Sequence, residues 1–292
     1  MDRLQIAAVI VSGVPRRSAK TPAGADPFGP IAGLSQLTWV IDAALGASIR
    51  RIAVVADVDA VTRAELESRA ARALVEFVPR RNDSHEDLAL AIDRRGSELT
   101  LRDNTHLLVL SAAAPHLDAG ELRVLIDDHV TGGAAATILG SSPDPGGSLG
   151  EPTIERDSSG QIRAILDPIG DEPAHESPVA VVRASLLVPA LRRVTPAGWG
   201  RGPLLVDALV ALEAAGHSVI RLPRSEPIVT VTSMATRATV EMELRDRIIT
   251  SWIDRGVSMP DPRQVAIDAT VTLGQGVEIL PGTLIEGTTV VG

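Results

Sequence analysis

The chain has no cysteine and no tyrosine, one lysine (Lys20) against 27 arginines, and only two asparagines (Asn82 and Asn104). Without thiols there are no disulfides, no thiolate nucleophile and no cysteine-ligated zinc. Long apolar runs are missing too: nothing approaches the ~20 residues of a membrane-spanning helix. The stretch Ile6 to Val11 is six residues long and runs into Pro15-Arg16-Arg17, which does not make a signal peptide. A cytoplasmic protein with no membrane partner is expected. Positive charge is also short, since 28 Lys and Arg against 37 Asp and Glu leave a net charge of −9. Nucleic acid and anionic membranes both need a basic field to displace counterions, so neither is an expected partner. Small anionic ligands in a local pocket remain open. The six histidines (85, 106, 116, 129, 175 and 217) never fall in a paired spacing such as H-x-x-x-H, and a metal cage built from them has little support. The arginine and alanine surplus reads as compositional bias, yet any chemistry must manage with one lysine and two asparagines.

What is present is enough for one large core or two modest ones: 292 residues, 45% apolar and 22% charged. Through the first 130 residues, aliphatic runs bounded by turn residues alternate with segments of helical period, the pattern of repeated strand-helix-strand units and a parallel sheet. Strands are predicted over Gln5–Val11, Arg51–Ala56, Ala73–Val78, His106–Leu110 and Gly133–Leu139. Helices are predicted over Leu37–Leu45, Ala60–Ala73, about His85–Arg95, and Asp118–His129 with Asp118 as N-cap. The strands are almost continuously aliphatic, which fits burial on both faces. From Ser141 to Glu176 the chain turns rich in Pro, Gly and Ser. Two short extended pieces there, Thr153–Arg156 and Gln161–Leu166, flank Asp157-Ser158-Ser159-Gly160 and read as a hairpin lid over the sheet. A strand at Val179–Val182, helices near Leu186–Val194 and Leu204–Ala215, and a strand at Ser218–Leu222 follow. A long amphipathic helix then spans about Met234 to Arg255, with Gly256 placed as its C-terminal cap.

The last segment carries the sharpest period. Ile267, Leu273, Ile279, Ile285 and Val291 recur every six residues, each preceded two positions earlier by Val265, Val271, Val277, Thr283 or Thr289. This is the hexapeptide signature of a parallel β-helix with triangular coils, in which the large aliphatic fills the interior. Three hexads make a coil, so the segment supplies about one and a half coils and would leave open strand edges. Either the chain is a fragment of a longer parent or neighbouring subunits cover that end. Cutting after Arg263 is expected to leave a soluble monomer.

An α/β domain, a long helix and hexapeptide repeats in this order resemble the bifunctional bacterial N-acetylglucosamine-1-phosphate uridyltransferase / glucosamine-1-phosphate acetyltransferase family. The likeness is carried by Trp39-Val40-Ile41-Asp42-Ala43, by Asp254-Arg255-Gly256-Val257, and by Gly274 to Gly292 with Ile279-Leu280-Pro281-Gly282-Thr283. It implies a Rossmann-like nucleotidyltransferase domain with a mostly parallel sheet (residues 1–232), a linking helix (233–257) and the start of a left-handed parallel β-helix (264–292). It also implies a homotrimer, with a nucleotide or sugar phosphate as the ligand.

The resemblance thins where chemistry is needed. The family opens on a phosphate loop of the form L-A-A-G-x-G-T-R-M, matched here by Ile10-Val11-Ser12-Gly13-Val14-Pro15-Arg16-Arg17-Ser18. Gly13 and Arg17 match, but Pro15 replaces the second glycine and removes a backbone donor. Taken alone, Gly13 followed by Arg17 reads first as a plain strand-ending turn. The family lysine falls near Asp26, with Lys20 or Arg16 open as compensation. The family's magnesium ligands, the Asp of G-D-x-P-L and an Asn of G-V-N-N-R, fall on Ala113 in Ala112-Ala113-Ala114-Pro115-His116 and on Ala235 in Ser233-Met234-Ala235-Thr236-Arg237. In the pocket the resemblance assigns Ser12, Gly13, Arg17, His85, Asp167 (where the family has a glutamate on the sugar) and Asp207. His85 and Asp207 serve equally as capping or surface residues. The lid turn becomes Glu151-Pro152-Thr153, and the E-I-N-T-G segment becomes Glu176-Ser177-Pro178-Val179-Ala180 without its asparagine.

Uridyl transfer needs a phosphate cradle, a metal bridge and sugar contacts, and each is damaged here. The expectation is a degenerate relative with no catalytic residues, no metal and no cofactor, serving as a binding or scaffold protein. The alternative is an active nucleotidyltransferase with relocated magnesium ligands. A third reading, an acetyltransferase, would need coils beyond the first ones.

Overall fold

β1 (Gln5–Val11) is aliphatic from Ile6 onward, and a strand without a polar face is stable only where both faces are covered. In the computed structural model, which describes residues 5–12, 26–79, 105–141, 153–156, 162–166, 179–193, 205–224 and 228–292, β1 lies inside a seven-stranded sheet. On one side of it run β4 (Arg51–Val55) and β5 (Leu74–Val78), both parallel to it. On the other side come β6 (Thr105–Ser111), β10 (Ala180–Arg183), β7 (Ala136–Ser141) and β11 (Val219–Arg224). β10 is antiparallel to both neighbours, while β6 and β11 pair in parallel with β1 and β7. The sheet is mostly parallel, as expected.

Successive side chains of a strand point to opposite faces, and β1 separates two cores in this way. Ala7, Val9 and Val11 pack with Leu187 and Leu191 of α4 (Ala184–Arg193) and with Leu205, Leu209 and Leu212 of α5 (Leu205–Ala214). Ala8 and Ile10 pack with Leu37, Val40 and Ile41 of α1 (Gln36–Gly46) and with Leu122, Leu125 and Ile126 of α3 (Ala119–Gly132). Each fully buried leucine, such as Leu187 or Leu122, contributes roughly 1.5–3 kcal/mol to this layered α/β arrangement.

The helix ends follow local chemistry. Ser35 caps α1 by accepting from the Thr38 amide at 3.1 Å. Asp118 caps α3 in a reciprocal box with Glu121. α3 ends on Gly133 at φ +65°, so the predicted strand from Gly133 begins only at Ala136; the glycine is used as a left-handed helix stop. α2 (Ala60–Arg69) stops short of Ala73, because the Leu74 amide bonds the Arg50 carbonyl at 2.8 Å and draws the chain into β5. The predicted helix near 85–95 lies outside the described residues. β8 (Thr153–Arg156) and β9 (Ile162–Leu166) pair antiparallel, forming the expected hairpin. A further hairpin, not anticipated from the sequence, joins β2 (Pro30–Ile31) to β3 (Leu34–Ser35) through Ala32 and Gly33, both at positive φ, the requirement of a tight two-residue turn.

α6 (Met234–Asp254) starts at a Ser233 capping box and is followed by Gly256 at φ +91°. Val240, Leu244 and Ile248 recur at a spacing of four and form one apolar stripe. It shares a third core with Ile31, Ala32 and Val231 on one side and with Val265, Ile267, Val271, Leu273 and Ile279 on the other. In the hexad segment β12 (Ala266–Ile267) pairs in parallel with β14 (Leu284–Ile285), and β13 (Thr272–Leu273) with β15 (Val290–Val291). Each pairing spans eighteen residues, or three hexads. Ile267, Leu273 and Ile279 are buried, whereas Ile285 and Val291 are half-buried. Among the described residues no helix is long and apolar enough to cross a membrane.

Candidate functional site

From β1 the parallel strands proceed one way to β4 and β5 and the other way to β6. At such a reversal the loops leaving adjacent strands diverge and open a crevice at the carboxyl ends, where ligands of open α/β sheets bind. That point lies here between Ser12 and the turn after β6. Ser12 is buried, and its amide extends the ladder by bonding the Val55 carbonyl at 3.1 Å. Across from it the Ala112 amide bonds the Val11 carbonyl at 2.9 Å, and the chain turns through Ala113, Ala114 and Pro115 to His116. Ser111 Oγ accepts from the Ala113 amide at 3.1 Å, so this buried hydroxyl braces the turn.

The segment entering α6 closes the turn from the other side. The Val231 amide donates to the Ala113 carbonyl at 2.8 Å, four residues ahead of Ala235. Arg247 of α6 donates to the His116 carbonyl. The His116 imidazole is fully buried, and neither ring nitrogen has a hydrogen-bond partner among the described residues. Burial, followed by the charges of Arg224 and Arg247, pushes it down to about 3, so it is neutral at physiological pH. Arg224 itself is held by Glu121 at 2.6 Å. Further out, Ala56, Asp57, Val58, Asp59, Arg63 and Pro79 line a groove at the ends of β4 and β5. Its charged groups are already occupied: Asp59 accepts from the Thr62 amide at 2.8 Å as the α2 cap, and Arg63 stacks over Phe77 at 4.9 Å.

This frame has clear counterparts. The chain is 28% identical over 270 residues to the bifunctional protein GlmU of Pelotomaculum thermopropionicum, an alignment covering 87% of the chain and 55% of that relative. It is 28% identical to GlmU of Leifsonia xyli (90% of the chain, 54% of the relative) and 32% identical to GlmU of Streptomyces avermitilis (64% and 40%). The α/β domain of the chain is GlmU-like. The chain spans about half the length of the curated relatives it matches. No family model matches it. Among solved structures, a Bacillus anthracis structure assigned as a glucose-1-phosphate thymidylyltransferase, in complex with sucrose, superposes with a TM-score of 0.60 at 13% identity, covering 82% of this chain and 96% of that one. A 4-diphosphocytidyl-2C-methyl-D-erythritol synthase superposes at 0.55 with 18% identity, covering 83% and 99%. Both show the nucleotidyltransferase α/β fold.

Within this GlmU-like domain, Ser12 stands at the crevice, and Asp207 is half-buried in the first turn of α5. Gly13, Arg17, His85 and Asp167 lie outside the described residues, as do Glu151, Pro152 and Glu176. Asp26, near which the resemblance puts the family lysine, is engaged in a turn: its carboxylate accepts from the Phe28 amide at 3.0 Å, and its carbonyl accepts from Gln36 Nε2 at 2.9 Å. Asp118 is likewise occupied, accepting from the amides of Gly120 and Glu121.

Magnesium asks for hard oxygen ligands. The two segments that would supply them meet through the Val231–Ala113 bond, yet the positions in question carry methyl groups, and Asp118 caps a helix. Among the described residues no cluster of three or more His, Asp or Glu could hold a metal ion. The residues present do not fit the family's magnesium site.

A second histidine feature has no local signature in the sequence. His106 at the start of β6 and His129 in the last turn of α3 meet at 2.7 Å, Nδ1 to Nε2, because the strand-helix connection folds one back over the other. Twenty-three residues separate them, too far for any local spacing pattern.

Proposed function

We propose that this chain is a catalytically degenerate relative of the sugar-1-phosphate uridyltransferases, retaining the fold as a binding or scaffold protein. One observation carries the reading. The Val231–Ala113 hydrogen bond joins the turn after β6 to the segment entering α6, the two segments that the resemblance matches to the family's magnesium ligands, and the matched positions, Ala113 and Ala235, have no side-chain oxygen to offer. Phosphoryl and nucleotidyl transfer depend on a metal to bridge the phosphates and neutralise developing charge, so this change removes a necessary part. Pro15, lacking the amide of the family's second loop glycine, points the same way. A nucleotide or sugar phosphate remains the ligand class that suits the crevice.

The hexad segment is read as the start of a left-handed parallel β-helix. The eighteen-residue parallel pairings support this, since they match three six-residue sides per coil. Leu280, Leu284 and Val290 are exposed on it, and self-association into a trimer through this surface is the accompanying proposal.

The similarity to proteins named GlmU, over as much as 90% of the chain, favours a second reading: an active N-acetylglucosamine-1-phosphate uridyltransferase with relocated ligands. The purified chain with UTP, N-acetylglucosamine-1-phosphate and a magnesium titration separates the two. The first reading expects no metal-dependent pyrophosphate release above background. Release on the order of 1 per second or faster establishes the second.

A further inference from the structure

At the end of the sheet opposite the crevice, a chain of polar side chains ties four elements together. His106 Nδ1 of β6 lies 2.7 Å from His129 Nε2 of α3, and His129 Nδ1 lies 2.9 Å from Thr137 Oγ1 of β7. The two rings meet edge to face, with centroids 4.9 Å apart at 75°. Arg183, the last residue of β10, stands opposite His106 in the antiparallel register. Its guanidinium donates to the carbonyls of Ala134 (3.0 Å) and Gly133, just past the end of α3. β1 presents only the apolar Ile6 beside His106. Among the described residues, Arg183 is the charged group acting on both rings. Thr137 and His129 are fully buried.

The geometry limits how many protons this chain can hold. Between the facing nitrogens there is room for a single hydrogen. With both rings neutral, either His129 donates to His106 and accepts from Thr137, or the direction reverses; both arrangements satisfy every facing atom. One added proton can be held as a His129 imidazolium that donates to both His106 and Thr137. A second proton puts a hydrogen on each facing nitrogen, and at 2.7 Å two N–H groups cannot coexist. The rings must then separate, next to the fixed charge of Arg183. Burial is the larger cause opposing protonation of both rings; Arg183 opposes it further, and for His129 so does His106.

We propose that the His106–His129–Thr137 chain, backed by Arg183, is an acid-sensitive latch that holds the C-terminal turn of α3 against β6, β7 and β10 and releases it when both rings are protonated. In the closed state the latch is part of the packed fold. In acid it opens locally, at the sheet end remote from the crevice.

The test uses the intact chain. Hydrogen exchange is measured at pH 7 and pH 5 and corrected for intrinsic rates, alongside an NMR titration of the histidine rings. The latch expects the amides of residues 129–137 and 180–183 to lose protection by about tenfold or more relative to those of β1 and β4. It also expects His106 and His129 to titrate as a coupled pair below the ordinary histidine range. In His106→Gln, which keeps a neutral hydrogen-bonding group and removes one titration, the selective loss should vanish. Independent titration of the rings near 6.5, or an even loss of protection across the whole sheet, overturns the proposal. If His106→Gln does not fold, the wild-type ring titration decides alone.

Discussion

A Cβ built on Gly33 would stand 2.6 Å from the Cβ of Asp268, although 235 residues separate the two. Gly33 sits at φ +89° in the β2–β3 turn, and the adjacent Ala32 carbonyl accepts from the Ala269 amide at 2.9 Å. The α/β domain thus meets the hexad segment backbone to backbone. Gly33→Ala should destabilise the chain by about 2 kcal/mol or more, combining left-handed strain with a clash that neither backbone can relieve. Adding Asp268→Gly should recover part of the loss. Denaturant midpoints check this, and an unchanged midpoint in Gly33→Ala would show that the approach is not close.

The shared third core alters what removal of the hexads should do. Ile31, Val240 and Leu244 are all fully buried, and the hexad residues Val265, Ile267 and Val271 help to cover that cluster. Cutting after Arg263 therefore exposes a continuous apolar surface, and the expectation of a well-behaved monomer gives way. The shortened chain should bind a hydrophobic dye and unfold at lower denaturant than the full chain. Equal midpoints would mean that the hexads merely hang from α6.

The features legible in the sequence are those written locally. β1 announces itself by six aliphatic residues in a row, α3 by Asp118 as its N-cap, and the last segment by its period of six. Each depends on neighbours within a turn or two. The reversal of β10 is not written in Ala180–Arg183, whose residues would suit a parallel strand equally well; only the route of the preceding segment decides it. Gly33 looks like any loop glycine until Asp268 arrives from the far end of the chain. At the site, the alanines at 113 and 235 could be matched to family ligands by motif, but the backbone bond from Val231 to Ala113 that joins their segments needed the fold. The pairing of His106 with His129 had no local signal at all.

His116 gives a stability prediction of known sign. Its folded-state value is lowered to about 3 from an ordinary 6.5, so below 6.5 the unfolded chain binds a proton that the folded chain refuses. Stability is unaffected above that range, falls as pH drops from about 6.5, and levels off near 3. At pH 5 the loss from this one group is about 2 kcal/mol. His116→Leu keeps the apolar volume and removes the proton, and with neither ring nitrogen bonded among the described residues it forfeits no hydrogen bond seen there. The variant should match or exceed the wild type at pH 7 and exceed it clearly at pH 5. A pH slope identical to the wild type's would place His116 in water instead.

Restoring the family's metal ligands, as Ala113→Asp with Ala235→Asn, tests how deep the degeneration runs. The Val231–Ala113 bond uses backbone atoms only, so the substitutions leave it in place and bring two oxygen ligands to adjoining segments. Magnesium binding should become measurable by calorimetry. Uridyl transfer should not return, because Pro15 and Pro152 still lack the amides that the family's loop and lid glycines supply. Removing one such donor to a developing oxyanion costs roughly 10²–10³-fold in rate, and two missing donors keep turnover below detection even with the metal bound. Pyrophosphate release by the double variant at an ordinary enzymatic rate would reverse the conclusion: the loss would then lie in the two ligands alone, and a chain so near to activity would be better read as a uridyltransferase that takes its metal from elsewhere.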